Sequence, residues 1–138
     1  MLGELLALYP TTLRLVFKDF PLAFHEGARP AAQAASCAAS AGRLWEYHDM
    51  LFLAQPAFSR DDLIRYAGRV GLDRAAFAAC LDSGRFREAV ERDVAEGRAA
   101  GVSATPTFFV NGRRFVGLHP LQDLREAVGD ALEDAGRK

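Results

Sequence analysis

A proline placed directly before an apolar run and an Asn-Gly pair constrains this chain more than any other feature. The segment reads TPTFFVNG from Thr105 to Gly112, and residues 113–116 after it are again β-prone. Both central residues of a type I′ turn need positive φ, which suits Asn and Gly, so the spacing predicts a hairpin. Pro106 has no N–H to give to a ladder. Its peptide bond is either an ordinary trans bond that starts a strand, or a cis bond that exposes the preceding backbone to a ligand.

Helical patterns fill most of the chain on both sides of this hairpin. Apolar residues recur at helical spacing near the start and again from Leu121 to Leu132. Trp45, Leu51 and Phe52 are predicted to form the buried side of a helix over residues 44–54. The remaining predicted helices are an alanine-rich one over 31–41, one capped by Ser59 with Asp62 as a capping box, one capped by Asp73, and one around 86–97.

The run Leu13–Phe17 mixes β-branched and aromatic residues and predicts a short buried strand, which Pro21 ends. The order is therefore strand, several helices, strand–turn–strand and helix, with no linker or repeat. This order favours an α/β sandwich with a helical insertion.

Length and composition exclude several classes of protein. The 138 residues fit one domain, and half of them are hydrophobic. Seventeen Lys and Arg against eighteen Asp and Glu leave a net charge of −1, so we expect no nucleic-acid partner. No apolar run approaches the ~20 residues of a membrane span, and no signal peptide is recognisable. As given, the chain is therefore expected in the cytoplasm and off the membrane.

The two cysteines, Cys37 and Cys80, are 43 positions apart and match neither a CxxC nor a zinc-site spacing. They are either two buried thiols or one structural disulfide that links two helices. The sequence leaves both interpretations open.

Few other polar residues suggest chemistry. His25, His48 and His119 are scattered and are interpreted as capping or hydrogen-bonding side chains. Lys18 and Asp19 are interpreted as surface charges at the end of the predicted strand. No phosphate-binding glycine loop, serine nucleophile elbow or metal-ligand spacing occurs, so neither a cofactor nor a metal is expected.

Several motifs, taken in order, resemble the DsbA-like thiol–disulfide oxidoreductases of bacteria. They are VFKDFPL from Val16 with His25, the alanine-rich helix with Cys37, LWEYHD from Leu44, and TPTFFVNG followed by Gly117. The resemblance implies a thioredoxin-like α/β fold over residues 1–138, with an inserted helical domain at about 28–100 and a hairpin plus helix at 104–135. It also implies a cis Thr105–Pro106 bond, whose loop, Ala104, Thr105 and Pro106, would bind an extended peptide or protein substrate. By the same analogy, Lys18 or Asp19 could tune proton transfers.

The resemblance also implies that two elements of the family are missing from this sequence. Members of the family carry a strand and a CxxC before the point where this chain starts, so we expect the first strand and the catalytic pair to be absent. No catalytic residue is therefore assigned. The flanking strands would be left with unpaired edges, which would pair with each other or join another copy as a homo-oligomer.

Three functions remain open. The chain is a DsbA-like oxidoreductase domain that is redox-inactive as given, because the gene is truncated or its start is misplaced. Alternatively it is a redox-inactive module for peptide binding or assembly. A third alternative is a relative of kappa glutathione transferase and hydroxychromene-carboxylate isomerase, which share the architecture.

Overall fold

A computed structural model describes residues 1–137, and it divides into two compact units. One unit is continuous, from Asp19 to Ala99. The other combines residues 1–18 with the residues from Ala100 onward. Each unit has its own apolar cluster.

Seven helices and one hairpin form over the described residues. The helices are α1 (Leu2–Leu8), α2 (Ala28–Ser40), α3 (Leu44–Ala54), α4 (Arg60–Arg69), α5 (Arg74–Ser83), α6 (Arg87–Ala99) and α7 (Leu121–Gly136), and the strands are β1 (Thr107–Val110) and β2 (Arg113–Val116). The predicted helices and hairpin all form, with boundaries that shift by up to three residues or, in α7, extend further.

The continuous unit is built around α2, which is rich in alanine. Small side chains let α3, α4, α5 and α6 all pack against this helix. Tyr47 of α3 is fully buried in the cluster, and its hydroxyl donates a hydrogen bond of 2.9 Å to the Leu63 carbonyl. Leu51 is buried as predicted, but the prediction for Trp45 and Phe52 is wrong, because they are 42% and 59% exposed. Helix α3 is apolar on several sides, so its pattern does not define one buried face.

Local capping residues fix where two of these helices begin. Ser59 accepts a hydrogen bond from the N–H of Asp62, and the Asp62 carboxylate accepts one from the N–H of Ser59, which confirms the predicted capping box. Asp73 caps α5 through the N–H of Ala76 at 2.8 Å.

The hairpin has the predicted register. Val110 pairs with Arg113 across Asn111 and Gly112, whose φ values are +46° and +88°, as a type I′ turn requires. One face of the hairpin carries Phe108, Val110 and Phe115 into a cluster with α1 and α7.

The predicted strand Leu13–Phe17 is wrong, since these residues form no ladder. A strand is defined by its hydrogen-bonded partner, and the described sheet contains β1 and β2 alone. Leu13 still packs in the cluster with α1 and α7, whereas Val16 is 57% exposed. The expected direct pairing of this run with β1 is likewise not formed.

Candidate functional site

The residues Ala104, Thr105 and Pro106 form one loop that runs directly into β1. The Thr105–Pro106 peptide bond is cis. The loop is held at two points: the Thr107 hydroxyl donates to the Ala104 carbonyl at 2.7 Å, and the Gly117 N–H donates to the Pro106 carbonyl at 2.7 Å. These contacts fix the backbone on either side of Thr105.

Thr105 itself is exposed, and no hydrogen bond of its backbone is found within residues 1–137. An exposed peptide group next to a fixed strand end can pair with the backbone of an extended chain without first breaking an internal bond. The loop therefore offers a donor and an acceptor that are already positioned.

Sequence reasoning missed the two residues that hold this loop by hydrogen bonds, Thr107 and Gly117. A signal for Gly117 was present, because counting the hairpin register back from Asn111-Gly112 places Pro106 opposite Gly117. The hydroxyl contact of Thr107 depends on the loop conformation and has no such signal.

Cys37 and Cys80 are joined by a disulfide that connects α2 to α5. Their Cα atoms are 6.1 Å apart, within the ordinary range for such a bond. Cys37 is buried at 3% exposure and Cys80 is partly buried. Because the sequence has two cysteines and both are bonded, the described chain presents no free thiol.

Asp19 is the carboxyl group with the most unusual environment among the described residues. Burial, and secondarily the negative charge of Asp93, raises the pKa of Asp19 from its ordinary value of 3.8 to about 6. The Asp93 carboxylate also accepts a hydrogen bond from the Asp19 N–H at 2.9 Å. The interpretation of Asp19 as a surface charge is therefore wrong. Its partner was not foreseeable, since Asp93 lies 74 positions later, on α6.

The histidines make local contacts. The Nδ1 atom of His48 lies 3.0 Å from the Asp49 carboxylate. The ring of His119 lies between the Asp123 carboxylate at 3.1 Å and the Val116 carbonyl at 3.0 Å. The rings of Phe24 and His25 meet edge to face. Over residues 1–137 no group of three or more His, Cys, Asp or Glu side chains is arranged to hold a metal ion.

Among the described residues, no helix has the length and apolar character needed to cross a membrane.

A family model and a solved structure agree on the family. A family model described as Thioredoxin matches residues 2–130. The structure is similar to the crystal structure of a thioredoxin-like oxidoreductase from Silicibacter pomeroyi DSS-3, with a TM-score of 0.85 and 25% identity. That similarity covers 96% of this chain and 75% of the other.

Curated relatives are much longer than this chain. It is 41% identical over 133 residues to Na(+)/H(+) antiporter NhaA 3 of Salinispora tropica, which covers 96% of this chain and 20% of that protein. It is 44% identical over 114 residues to Na(+)/H(+) antiporter NhaA of Herminiimonas arsenicoxydans, which covers 83% of this chain and 18% of that protein. The chain thus spans about a fifth of the length of the curated relatives that it matches.

Proposed function

This chain belongs to the thioredoxin family, in its DsbA-like branch, and we propose that it is the polypeptide-binding part of a thiol–disulfide oxidoreductase. In this proposal the loop Ala104–Pro106 holds an extended polypeptide by its backbone. We further propose that the 138-residue chain by itself exchanges no disulfides.

The observation that carries the binding role is that Thr105 is an exposed residue whose backbone has no hydrogen-bond partner within residues 1–137. The hydrogen bonds to the Ala104 and Pro106 carbonyls support this role, because they hold the loop in place in the absence of a ligand. Pairing through the backbone tolerates many substrate sequences, which suits a domain that handles unfolded polypeptides.

The proposed lack of exchange follows from the chemistry of thiols. Exchange begins when a thiolate attacks a disulfide sulfur. With its two sulfurs bonded to each other this chain has no thiolate of its own, and burial of Cys37 in the apolar cluster around α2 shields that sulfur from a thiolate on another molecule. A dithiol for catalysis would have to come from residues other than Cys37 and Cys80. Ion transport is not carried over from the antiporter relatives, because the shared part is about a fifth of their length.

Binding is tested with a fluorescein-labelled insulin B chain whose cysteines have been reduced and carboxymethylated, so that no covalent capture can occur. We expect binding to raise the fluorescence polarisation of the labelled chain. Thr105→Pro removes the backbone N–H and should weaken the affinity at least tenfold. Thr105→Val keeps the N–H and is the matched control, expected to bind as the wild type does. Equal loss in both variants, or no binding to a folded wild-type chain, would refute the loop as the binding site.

Redox activity is tested separately by insulin reduction with dithiothreitol as the electron donor. In the presence of the 138-residue chain, insulin is expected to be reduced at the rate that dithiothreitol alone gives. A clear acceleration that is lost in Cys37→Ala would contradict this expectation and assign the exchange to the Cys37–Cys80 pair. Addition of glutathione is expected to leave the thermal midpoint unchanged. A rise in that midpoint would favour the glutathione transferase alternative.

A further inference from the structure

One peptide group connects the binding loop to the ring of His119. It is the group between Val116 and Gly117. Its N–H donates to the Pro106 carbonyl at 2.7 Å, and its C=O lies 3.0 Å from the Nε2 atom of His119. A trans peptide group is planar, and its N–H and C=O point in opposite directions. A contact at the C=O therefore also fixes the direction in which the N–H points.

The local backbone does little to hold this peptide group. Gly117 has a φ of +82°, a conformation that glycine adopts readily because it has no Cβ atom. Nothing lies within 4 Å of the position that a Cβ atom on Gly117 would take, so the surroundings leave the group room to turn. Its orientation therefore depends on the hydrogen bonds at its two ends.

Both nitrogens of the His119 ring face acceptors. Nδ1 lies 3.1 Å from the Asp123 carboxylate on α7, and Nε2 lies 3.0 Å from the Val116 carbonyl. An ionised carboxylate and a carbonyl only accept hydrogen bonds, and a neutral imidazole carries one N–H whereas an imidazolium carries two. The charged ring therefore makes both bonds, and the neutral ring makes one of them.

The bond that the neutral ring keeps is the one to Asp123. A hydrogen bond to an ionised carboxylate is stronger than a hydrogen bond to a neutral carbonyl, so the remaining proton stays on Nδ1. The lone pair of Nε2 then faces the Val116 carbonyl oxygen. Loss of the proton thus releases the peptide group at the end that His119 holds.

Other charged groups line the same hollow as the ring, and they are Arg113 on β2 and Asp123, Glu126 and Asp130 on α7. Arg113 pairs with Asp130 at 3.4 Å, and Glu126 accepts a hydrogen bond from Gln122 at 2.9 Å. These two pairs leave the Asp123 carboxylate to His119. The ring is also placed by Phe115, which it meets edge to face with 5.4 Å between the centroids.

We propose that His119 is a positioning residue of the binding loop, and that its imidazolium form holds the Val116–Gly117 peptide group so that the N–H of Gly117 keeps Pro106 in place. Thr105 is then fixed for polypeptide binding when His119 is charged, and it is held less firmly when the ring is neutral. Histidine side chains change charge between about pH 5 and pH 8, so the affinity for polypeptide falls over this range. This inference rests on the proposed function and adds regulation by pH to it.

The first test needs no ligand. Exchange of the Gly117 amide proton with water is measured by NMR at about pH 5.5 and pH 8, and the rates are corrected for the intrinsic effect of pH. Protection of this amide in the wild type should fall by about fivefold or more at the higher pH, which is the ratio that loss of one ordinary hydrogen bond produces. Equal protection at both pH values would overturn the inference.

Two variants should remove the pH dependence in opposite directions. His119→Ala has no ring to hold the Val116 carbonyl, so protection of Gly117 should be low at both pH values. Asp123→Asn offers an amide N–H to Nδ1, so a neutral ring can carry its proton on Nε2 and keep the bond to Val116. Protection should then be high at both pH values. A side chain that only supports the fold would not give these opposite results.

The second test measures binding of an acetylated, rhodamine-labelled peptide of Thr and Val with terminal lysines, which has no group that titrates between about pH 5 and pH 8. Its affinity for the wild type should be about fivefold or more higher at pH 5.5 than at pH 8. It should be low at both pH values for His119→Ala and high at both for Asp123→Asn. His25→Gln and Asp19→Asn are the controls, because they alter titratable groups of the other unit, and both should keep the pH dependence of the wild type.

The outcomes separate this inference from the proposed function. Protection of Gly117 that follows the predictions, with no peptide bound at either pH, would refute the loop as a binding site and support His119 as the residue that holds it. Binding that Thr105→Pro abolishes but that is equally tight at both pH values would overturn the role of His119 and leave the loop in place. A pH dependence that persists in His119→Ala would also overturn that role.

Discussion

Removal of the Cys37–Cys80 disulfide should destabilise the helical unit from Asp19 to Ala99 by about 4 kcal/mol. In the loop-entropy model a cross-link restricts the unfolded chain, and its effect grows with the logarithm of the loop length. A separation of 43 residues corresponds to about 13 cal/mol/K of unfolded-state entropy, or about 4 kcal/mol at 25 °C. Typical domains are stable by 5–15 kcal/mol, so the bond decides whether this unit remains folded under mild stress.

The assay is urea unfolding followed by the fluorescence of Trp45. This residue is the one tryptophan of the sequence and lies on α3, inside the loop that the disulfide closes. The oxidised wild type is compared with the same protein in dithiothreitol, which isolates the cross-link from any change of side chain. The double variant Cys37→Ala/Cys80→Ala should match the reduced protein to within about 1 kcal/mol for each truncated side chain. Dithiothreitol should have no further effect on it.

The slope of the unfolding free energy against urea is a second readout. An unfolded chain without the cross-link exposes more surface, so the slope should increase on reduction. A loss below about 1 kcal/mol with an unchanged slope would refute the reasoning, because it would mean that reduction leaves the unfolded chain no freer. A thiol count in denaturant, expected to be zero before reduction, verifies the starting state.

Three further predictions concern single side chains. Burial and the charge of Asp93 raise the pKa of Asp19 to about 6, so the folded state is destabilised at pH 7, where this carboxyl group is ionised. Asp19→Asn removes that cost and should raise the free energy of unfolding at pH 7 by roughly 2 kcal/mol, which is less than the full pKa shift implies because Asp19 is partly exposed to solvent. The folded state then binds the extra proton, so wild-type stability should fall as pH rises from about 4 to about 6, and pH-dependent thermal unfolding of the variant should lose that slope. Ser59→Ala should cost about 1 kcal/mol in urea unfolding through loss of the capping box. Tyr47→Phe should cost about 1 kcal/mol in the same assay, because it removes the hydrogen bond from the Tyr47 hydroxyl to the Leu63 carbonyl, which keeps its bond within α4; no measurable change would contradict the contribution of that bond.

The features that sequence reasoning predicted well are those that depend on neighbours in the chain. The hairpin register follows from Asn111 and Gly112, whose positive φ values belong to one turn type. The start of α4 follows from Ser59 and Asp62, which are three residues apart. In each case the determining contact lies within a few residues, so the pattern alone fixes the outcome.

The failures concern partners that are distant in sequence. A β-prone run such as Leu13–Phe17 becomes a strand when another strand lies beside it, and its composition does not say whether one does. Cys37 could be a thiol or half of a disulfide until the packing of α2 against α5 is known. Asp19 looked like a surface charge because nothing nearby in the chain marks Asp93 as its neighbour.

The two units differ in the size of their apolar clusters and in their cross-links. The helical unit has a large apolar cluster and a disulfide of its own. The unit with the hairpin has a smaller cluster of five buried apolar residues and a described sheet of two strands, and a sheet of two strands is by itself marginal in water. We therefore expect the unit that carries the binding loop to be the less stable of the two, and a polypeptide bound at Thr105 to stabilise it.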